Sequence, residues 1–333
     1  MDALEDEWDD DVAVGPRGRP LASPAARAER GRQLPGRVIA VDRGRIRVVP
    51  EGEGIDGASD ARYGGAMRGR KVVVGDRVRI APAQRDEPAR VVERLDRATQ
   101  LARTSDDLDR GMRVLVADAD AVAVVVGADN LAAGLRFADR VIVAATTGGL
   151  ATVLVVNKVD LVATPAELDA ALEPYSGALA EVLRVSAVTG EGTDRLRGLL
   201  ADRWTVLTGH SGVGKTSLMN VLVPDADRRT GEVGRRGGRH TTVASVALPL
   251  PGGGWLVDTP GVRSFGLGML DRRGVAAGFP ELAGLVCALD DCRHDGEPGC
   301  RLPEVPLHPV RRAAFERLAA AVEGVARADD DAT

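Results

Sequence analysis

The chain has 333 residues, 44% of them apolar, and is long enough to form two or three domains with packed cores. No stretch approaches the roughly eighteen apolar residues of a membrane helix, and the acidic start MDALEDEWDDD does not resemble a secretory signal, so we expect a cytoplasmic protein. The net charge of −5 gives the whole molecule no general affinity for nucleic acids.

The amino-terminal third divides into a tail and a β-rich segment. Residues 1–30 contain eight acids and four arginines without periodic apolar pattern, which predicts a disordered tail. Four runs follow in which apolar and polar residues alternate: RVIAV, RIRVV, KVVVGDRVRI and ARVVERL. Gly, Pro and Asp separate these runs, and the pattern predicts a five-stranded OB-type barrel over residues 31–97. Residues 31–98 hold fifteen Lys or Arg against ten Asp or Glu, so the barrel is a candidate RNA-binding domain. The alternative is a structural barrel with a solvated arginine-rich face.

The middle of the chain has the pattern of an α/β domain, expected over residues 98–271. The apolar runs AVAVVVGAD, ATVLVVNKVD and EVLRVSA alternate with predicted helices near 131–139 and 165–180, as in a parallel sheet covered on both faces. The strand WTVLTG leads into a glycine-rich loop and a helix that Pro224 ends, and SVALPL and GWLVDTPG continue the sheet. We expect residues 272–333 to form a further domain, with a Cys/His segment, described below, and a helix near 310–325. The apolar stripe predicted for that helix consists of Val310, Ala314, Leu318, Val322 and Val325.

The glycine-rich loop GHSGVGKTS matches the phosphate-loop spacing G-x-x-x-x-G-K-[ST] between a strand and a helix. Its backbone N–H groups are expected to surround phosphates, with Lys215 on the β- and γ-phosphate oxygens and the Thr216 hydroxyl on Mg²⁺. The phosphate-binding residues expected from this loop are Gly209, His210, Ser211, Gly212, Val213, Gly214, Lys215, Thr216 and Ser217.

A second phosphate-side motif, DTPG, ends a later strand. Asp258 is expected to hold Mg²⁺ through water, and the Gly261 N–H to meet the γ-phosphate. The polar stretch GEVGRRGGRHTT between the two motifs is predicted to be a first switch loop, in which Thr241 or Thr242 closes on Mg²⁺.

The sequence NKVD after ATVLVV resembles the guanine-reading motif N-K-x-D. The Asp160 carboxylate can accept from the ring N–H and the amine of guanine, whereas adenine offers no matching pair of donors. The motif therefore predicts a GTPase and not an ATPase. The residues expected at the base are Asn157, Lys158 and Asp160, together with Ser186 and Ala187 after the next strand.

The order of these motifs is circularly permuted, because NKVD precedes the phosphate loop. A permutation leaves the same sheet and crevice and moves only the termini. The switch segments are then flanked by the barrel and by the carboxyl-terminal domain. This arrangement suggests that loss of the γ-phosphate produces a domain movement.

The three cysteines of the chain cluster near its carboxyl terminus with one histidine. Cys287, Cys292, His294 and Cys300 form a Cys₃His set that suits tetrahedral Zn²⁺, and four protein ligands indicate a structural site. Free buried cysteines are the alternative.

These motifs together resemble the bacterial small-ribosomal-subunit-dependent GTPase A family, in which a permuted GTPase domain lies between an OB domain and a zinc domain. The similarity covers about residues 31–325 and rests on RGRKVVVGDRV, NKVD, GHSGVGKTSL, GRHTT, DTPGVRSFGL and the cysteine cluster. The resemblance implies a GTPase that binds the small ribosomal subunit and its rRNA late in maturation and leaves after hydrolysis. The three-part architecture suggests a monomer that works against a large partner, and we expect it to bind neither membranes nor DNA.

The resemblance also implies a catalytic role for His240 in GRHTT, beside Lys215, Thr216 and Gly261, because Val262 cannot orient water by hydrogen bonding. The alternative is that His240 only packs in the switch. The insertion EGEGIDGASDARYGG leaves the register of the third barrel strand open.

Two other functions are compatible with these features. One is a GTP-regulated RNA-binding module acting outside the ribosome. The other is a zinc-supported interaction protein that retains GTP with negligible turnover. GTP hydrolysis stimulated by small ribosomal subunits would distinguish a GTPase that acts on that subunit from both of these alternatives.

Overall fold

The structure is a computed structural model that describes residues 33–42, 45–84, 87–105, 111–224, 245–259 and 265–330, with side chains to residue 324. Across these ranges, no helix is long and apolar enough to cross a membrane.

The amino-terminal barrel has the strand order of an OB fold. Its strands are β1 (Leu34–Asp42), β2 (Arg45–Pro50), β3 (Ser59–Tyr63), β4 (Arg77–Ala81) and β5 (Ala89–Arg94). The order β1-β2-β3-β5-β4 closes through a β1–β4 pairing, and β3 and β5 run parallel. Alternate residues point into one core that includes Val38, Ile46, Val48, Ala61, Val78, Ile80 and Val91. The predicted barrel is confirmed, and its third strand lies inside the insertion whose register was open.

One strand prediction in the barrel is wrong. The run KVVVGDRVRI forms a strand only from Arg77, because residues 71–73 leave the sheet and Val74 bridges to Val116. Gly75 adopts a positive φ of 91°, and a side chain there would overlap the carbonyl of Ala117. The buried Asp76 carboxylate accepts from Val73 N at 2.7 Å and fixes this turn.

A hairpin that the sequence patterns did not predict follows the barrel. Its strands are β6 (Gln100–Arg103) and β7 (Arg113–Ala117), which pair antiparallel. The Val74–Val116 bridge therefore places this hairpin against the barrel.

The α/β domain contains a mixed sheet in the order β10-β9-β8-β11-β13-β12. Its strands are β8 (Ala121–Gly127), β9 (Ala151–Asn157), β10 (Glu181–Arg184), β11 (Trp204–Gly209), β12 (Val246–Pro249) and β13 (Trp255–Asp258). The five strands from β10 to β13 are parallel, as expected, and only the edge strand β12 is antiparallel.

The barrel joins this sheet at its β12 edge. Ala40 of β1 pairs with Val246 of β12, and the Arg37 guanidinium lies 3.9 Å from the centre of the Trp204 ring. Trp204 in turn stacks on Trp255 at 5.2 Å. A cation on two stacked aromatic rings stabilises the joint between the barrel and the sheet.

Six α-helices lie in the described ranges: α1 (Leu131–Thr147), α2 (Pro165–Leu172), α3 (Thr193–Leu200), α4 (Lys215–Leu222), α5 (Arg272–Ala277) and α6 (Pro309–Asp330). Helix α1 is longer than predicted because Val141, Ile142 and Val143 continue its buried face. Helix α2 is shorter than predicted because Pro174 has no N–H with which to continue the helical hydrogen bonds, and the 3₁₀ turn Glu173–Tyr175 follows. Val310 is 48% exposed and does not belong to the predicted stripe, whereas Ala314, Leu318 and Val322 are buried. The side chain of Val325 lies outside the described residues.

A buried arginine connects the carboxyl-terminal segment to the α/β domain. Arg311 of α6 is 1% exposed and donates to Asp139 of α1 at 2.6 Å and to Glu281 at 2.6 and 3.2 Å. Asp139 also accepts from Arg317 at 2.8 Å and from the Tyr175 hydroxyl at 3.0 Å. Burial raises the pKa of Asp139, and the two arginines oppose that shift. Removing Arg311 would therefore take one of its two arginine partners from the buried Asp139 and would also break the ion pair with Glu281.

We expect Arg311→Ala to lower the free energy of unfolding by about 3–5 kcal/mol, as for other buried ion pairs that lose one member. Urea titration followed by circular dichroism measures this loss. The control is Arg195→Ala, which removes an exposed ion pair with Glu181 and should cost less than about 1 kcal/mol. Equal effects of the two substitutions would contradict a structural role for the Arg311 network.

Candidate nucleotide and metal sites

The predicted nucleotide motifs meet at the carboxyl edge of the parallel strands. β9 ends at Asn157, β11 at Gly209 and β13 at Asp258, and all three strands point the same way. Parallel strands place the loops that follow them at one edge, so motifs distant in sequence form one crevice.

The phosphate loop has the backbone that the sequence predicted. Gly212 and Gly214 both have a φ of 85°, a conformation that favours glycine, and α4 begins at Lys215. A side chain at Gly209 would overlap the carbonyl of Val125 in the neighbouring strand. The N–H groups at the start of α4 and the turn before it can therefore surround an anion.

Two of the predicted phosphate and magnesium residues, Lys215 and Asp258, lie in contact. Lys215 Nζ is 2.7 Å from Asp258 Oδ1 and 3.2 Å from the carbonyl of Thr259. The buried Thr259 hydroxyl donates to Leu207 O at 3.1 Å, which ties the end of β13 to β11. Thr216 and Ser217 lie in the first turn of α4 and are exposed. The Thr216 hydroxyl and the Asp258 carboxylate offer oxygen ligands that suit Mg²⁺, and the Lys215 ammonium can donate to phosphate oxygens.

Asn157 connects three loops of the crevice. Its side chain is 1% exposed, and its Nδ2 donates to the carbonyl of Val213 in the phosphate loop at 2.9 Å. Its Oδ1 accepts from the backbone N–H of Ala187 at 3.1 Å. The amide therefore fixes the base-reading loop, the phosphate loop and the loop after β10 relative to one another.

The predicted guanine-reading residues are arranged around Asp160. Ser186 is fully buried, donates to Asp160 Oδ1 at 2.5 Å and accepts from Val188 N and Thr189 N at 3.3 and 3.1 Å. Asp160 itself is exposed, so its second oxygen is accessible to a ligand. A carboxylate held by a buried hydroxyl is suited to accept two donors from guanine.

The Lys158 ammonium lies 2.7 Å from the Asp129 carboxylate, which belongs to no motif recognised in the sequence. A polar residue just beyond a buried parallel strand is the signal that could have identified Asp129.

His210 lies beside an aromatic residue of α1, with 4.2 Å between its ring centre and that of Phe137. Burial lowers the pKa of His210, which favours its neutral form. Phe137 also makes an edge contact with Phe265, the first described residue after DTPG. The remaining predicted site residues, His240, Thr241, Thr242 and Gly261, lie outside the described residues.

The four predicted metal ligands converge in the carboxyl-terminal domain. One ligand atom from each of Cys287, Cys292, His294 and Cys300 lies within 4.8 Å of the others. His294 Nδ1 is 3.5 Å from the sulfur atoms of both Cys287 and Cys292. Three thiols and an imidazole at such separations fit a tetrahedral soft-metal site.

Hydrogen bonds around the cluster orient its ligands. The Arg301 N–H donates to Cys287 Sγ at 3.3 Å, which lowers the pKa of that thiol. Arg272 Nε donates to the His294 carbonyl at 3.0 Å, and its guanidinium reaches Glu316 of α6 at 2.6 Å. The cluster is thereby attached to the same helix as the Arg311 network.

A sequence profile described as "RsgA GTPase" matches residues 94–268. The chain is 41% identical to "Small ribosomal subunit biogenesis GTPase RsgA" of Gemmatimonas aurantiaca, over 77% of this chain and 89% of that protein. It is 37% identical to the protein of the same name from Azotobacter vinelandii, over 75% of each. The chain belongs to the RsgA GTPase family.

Solved structures agree with this assignment. The crystal structure of YjeQ from Thermotoga maritima matches with a TM-score of 0.69 and 26% identity, over 88% of this chain and 99% of that one. The structure of YloQ, described as a circularly permuted GTPase, matches with a TM-score of 0.65 and 22% identity over 88% and 96%, and supports the fold alone. The permuted order predicted from the sequence is confirmed. As a member of the RsgA GTPase family, the chain is a GTP-hydrolysing enzyme, and the family implies GTP, GDP and Mg²⁺.

We expect Gly214→Ala to abolish GTP binding. A methyl group at this position would overlap Asn157 Nδ2, and the φ of 85° is unfavourable for alanine. Calorimetric titration with GDP measures the loss. Gly198→Ala, in α3 with no atom near the added methyl group, is the matched control and should bind normally. Wild-type affinity in Gly214→Ala would contradict the role of the Asn157 contact.

Proposed function

We propose that this protein binds the small ribosomal subunit and acts late in its maturation, where hydrolysis of GTP to GDP and phosphate times its release. Relatives over most of the chain are named for small ribosomal subunit biogenesis. The observation that carries the proposal is the convergence of NKVD, Ser186, the phosphate loop and Asp258 at one sheet edge, attached to an arginine-rich barrel.

In this proposal Asp160 selects guanine, Asn157 holds the base-reading loop against the phosphate loop, and Lys158 lies over the base. Lys215 and the N–H groups of residues 209–217 hold the phosphates, while Thr216 and Asp258 hold Mg²⁺. Bound Mg²⁺ would neutralise charge that develops on the phosphates during transfer. The protein therefore contributes mainly positioning and electrostatic stabilisation.

His240 is proposed to orient the attacking water, with Thr241 or Thr242 completing the Mg²⁺ site and Gly261 meeting the γ-phosphate. Support comes from the sequence, because Val262 follows DTPG and offers no hydrogen-bonding side chain.

The barrel is the proposed rRNA-binding surface. Arg62 of β3 lies beside Arg90 of β5 in register. Ile46, Val48 and Ala61 point into the barrel core. Arg45 and Arg47 of β2, which alternate with them, therefore lie on the same outer face as Arg62. Arg45 and Arg62 are exposed. Arginines along one face can contact successive phosphates of an RNA backbone.

The proposed organisation is a tail over residues 1–30, the OB domain over 31–97, the GTPase domain over 98–271 and a domain over 272–333 that holds one structural Zn²⁺. Cys287, Cys292, His294 and Cys300 would fill all four zinc positions and leave none for a substrate. We propose that the protein works as a cytoplasmic monomer against its large partner.

The decisive measurement is GTP turnover with and without purified small ribosomal subunits. We expect small subunits to stimulate turnover and large subunits to have no effect, and Lys215→Ala to be inactive under both conditions. His240→Ala should bind GTP normally but lose stimulated turnover, and full turnover would contradict its catalytic role. Arg45→Glu/Arg62→Glu should require more subunits for half-maximal stimulation without changing intrinsic turnover.

Absence of stimulation despite intact GTP binding would contradict the ribosomal proposal. It would favour a GTP-regulated RNA-binding module acting outside the ribosome, which the arginine face of the barrel also fits. Salt-dependent retention of unrelated RNA by the full chain would then support that alternative.

We expect metal analysis of the purified chain to find one zinc ion per molecule, and Cys292→Ser to lose the ion and lower the unfolding temperature. The physical reason is that binding free energy at a structural zinc site contributes directly to folding. Asp291→Asn changes an exposed residue beside Cys292 and serves as control. A metal-free chain whose unfolding temperature a chelator leaves unchanged would contradict the zinc site.

A further inference from the structure

Asp129 lies at the nucleotide edge of the sheet although it belongs to none of the nucleotide motifs. It is the middle residue of the short 3₁₀ turn Ala128–Asn130, which joins the end of β8 to α1. β8 is the neighbour of both β9 and β11, and Gly127 lies opposite Asn157 in the register of the sheet. The turn therefore begins beside the base-reading loop and the phosphate loop.

The Asp129 carboxylate fills the space between Gly127 and Lys158. Its Oδ2 lies 2.7 Å from Lys158 Nζ, and its Oδ1 occupies the place that a side chain at Gly127 would need. The same place at Gly127 is 3.8 Å from the Cα of Val213, so the carboxylate is also next to the phosphate loop. The absence of a side chain at Gly127 is what allows this position.

Lys158 runs along the phosphate loop to reach this carboxylate. Its backbone has a φ of 65°, in the left-handed region, and its Cε is 3.9 Å from where a Cβ of Gly214 would stand. Its side chain is 26% exposed. The methylene chain is thus held between the base-reading loop and the phosphate loop, with only the ammonium group fixed by a charged partner.

We propose that Asp129 is a positioning residue of the guanine site, which orders the Lys158 side chain before the nucleotide binds. The inference rests on the proposed binding of GTP by residues 157–160. A lysine side chain loses much rotamer freedom when a ligand orders it, and an ion pair that holds it beforehand reduces this loss. Asp129 therefore increases nucleotide affinity without touching the nucleotide.

This role predicts an effect that depends on the base end of the nucleotide and not on its phosphates. The affinities for GDP and GTP should change by the same factor. Turnover at saturating GTP should not change, because the lysine binds the ground state and the transition state equally. A substitution that disturbed the phosphate loop would instead affect turnover as well.

The test is calorimetric titration of the full chain with GDP and with a non-hydrolysable GTP analogue. Asp129→Ala should raise both dissociation constants about three- to fivefold, the range of a partly exposed ion pair. Gly127→Ala should also raise both dissociation constants, because its methyl group displaces the Asp129 carboxylate without removing it. Glu93→Ala, which removes the Arg79–Glu93 pair of the barrel, is the matched control and should change neither constant.

A double-mutant cycle shows whether Asp129 acts through Lys158. In a Lys158→Ala background, Asp129→Ala should have no further effect on GDP affinity. Wild-type affinity in Asp129→Ala, or full additivity of the two losses, would overturn the inference while leaving GTP binding intact. Failure of the wild-type chain to bind GDP would instead overturn the proposed function on which the inference rests.

Discussion

The two hydrogen bonds of the Asn157 amide connect the predicted base-reading loop, the phosphate loop and the loop after β10. One bond reaches Val213 in the phosphate loop and the other comes from Ala187 after β10, and the side chain is almost completely buried. A buried amide that loses a partner costs free energy, so these loops cannot move independently without penalty. Gly214 has no side chain because the amide occupies that space. An internal contact therefore fixes how the phosphate loop lies against the loops after β9 and β10.

The permuted order changes which parts of the chain adjoin this crevice. The barrel is attached at the β12 edge of the sheet through Ala40 and Val246, and the carboxyl-terminal domain is attached through α1. Helix α1 contacts His210 and Phe265 through Phe137, and it contacts Arg311 through Asp139. One helix thus borders the phosphate loop, the segment after DTPG and the carboxyl-terminal helix. A displacement of α1 would be transmitted to the phosphate loop and to the carboxyl-terminal helix, because packed helices move as units.

Local sequence patterns were sufficient to predict the backbone of the phosphate loop and the convergence of the cysteines with His294. Glycine spacing, the strand before the phosphate loop and the Cys₃His set each follow from short-range chemistry, and the structure places these residues together as expected. Patterns of this kind were less reliable where tertiary contacts override them. The strand expected at residues 71–73 does not form, because the chain at Gly75 lies against Ala117 of the β6–β7 hairpin. On the carboxyl-terminal helix, Arg311 is buried where the predicted apolar stripe had Val310.

The sequence by itself determined the fold class and the permuted order of the motifs, because these depend on residue types at fixed spacing. Only the tertiary structure decided which distant residues support them. Asp129 with Lys158, Asp139 with Arg311 and Arg37 with Trp204 are separated by 29, 172 and 167 residues, and no local pattern links such pairs. Their partners are set by strand order and helix packing, since a long-range ion pair forms only after the sheet has brought both side chains together.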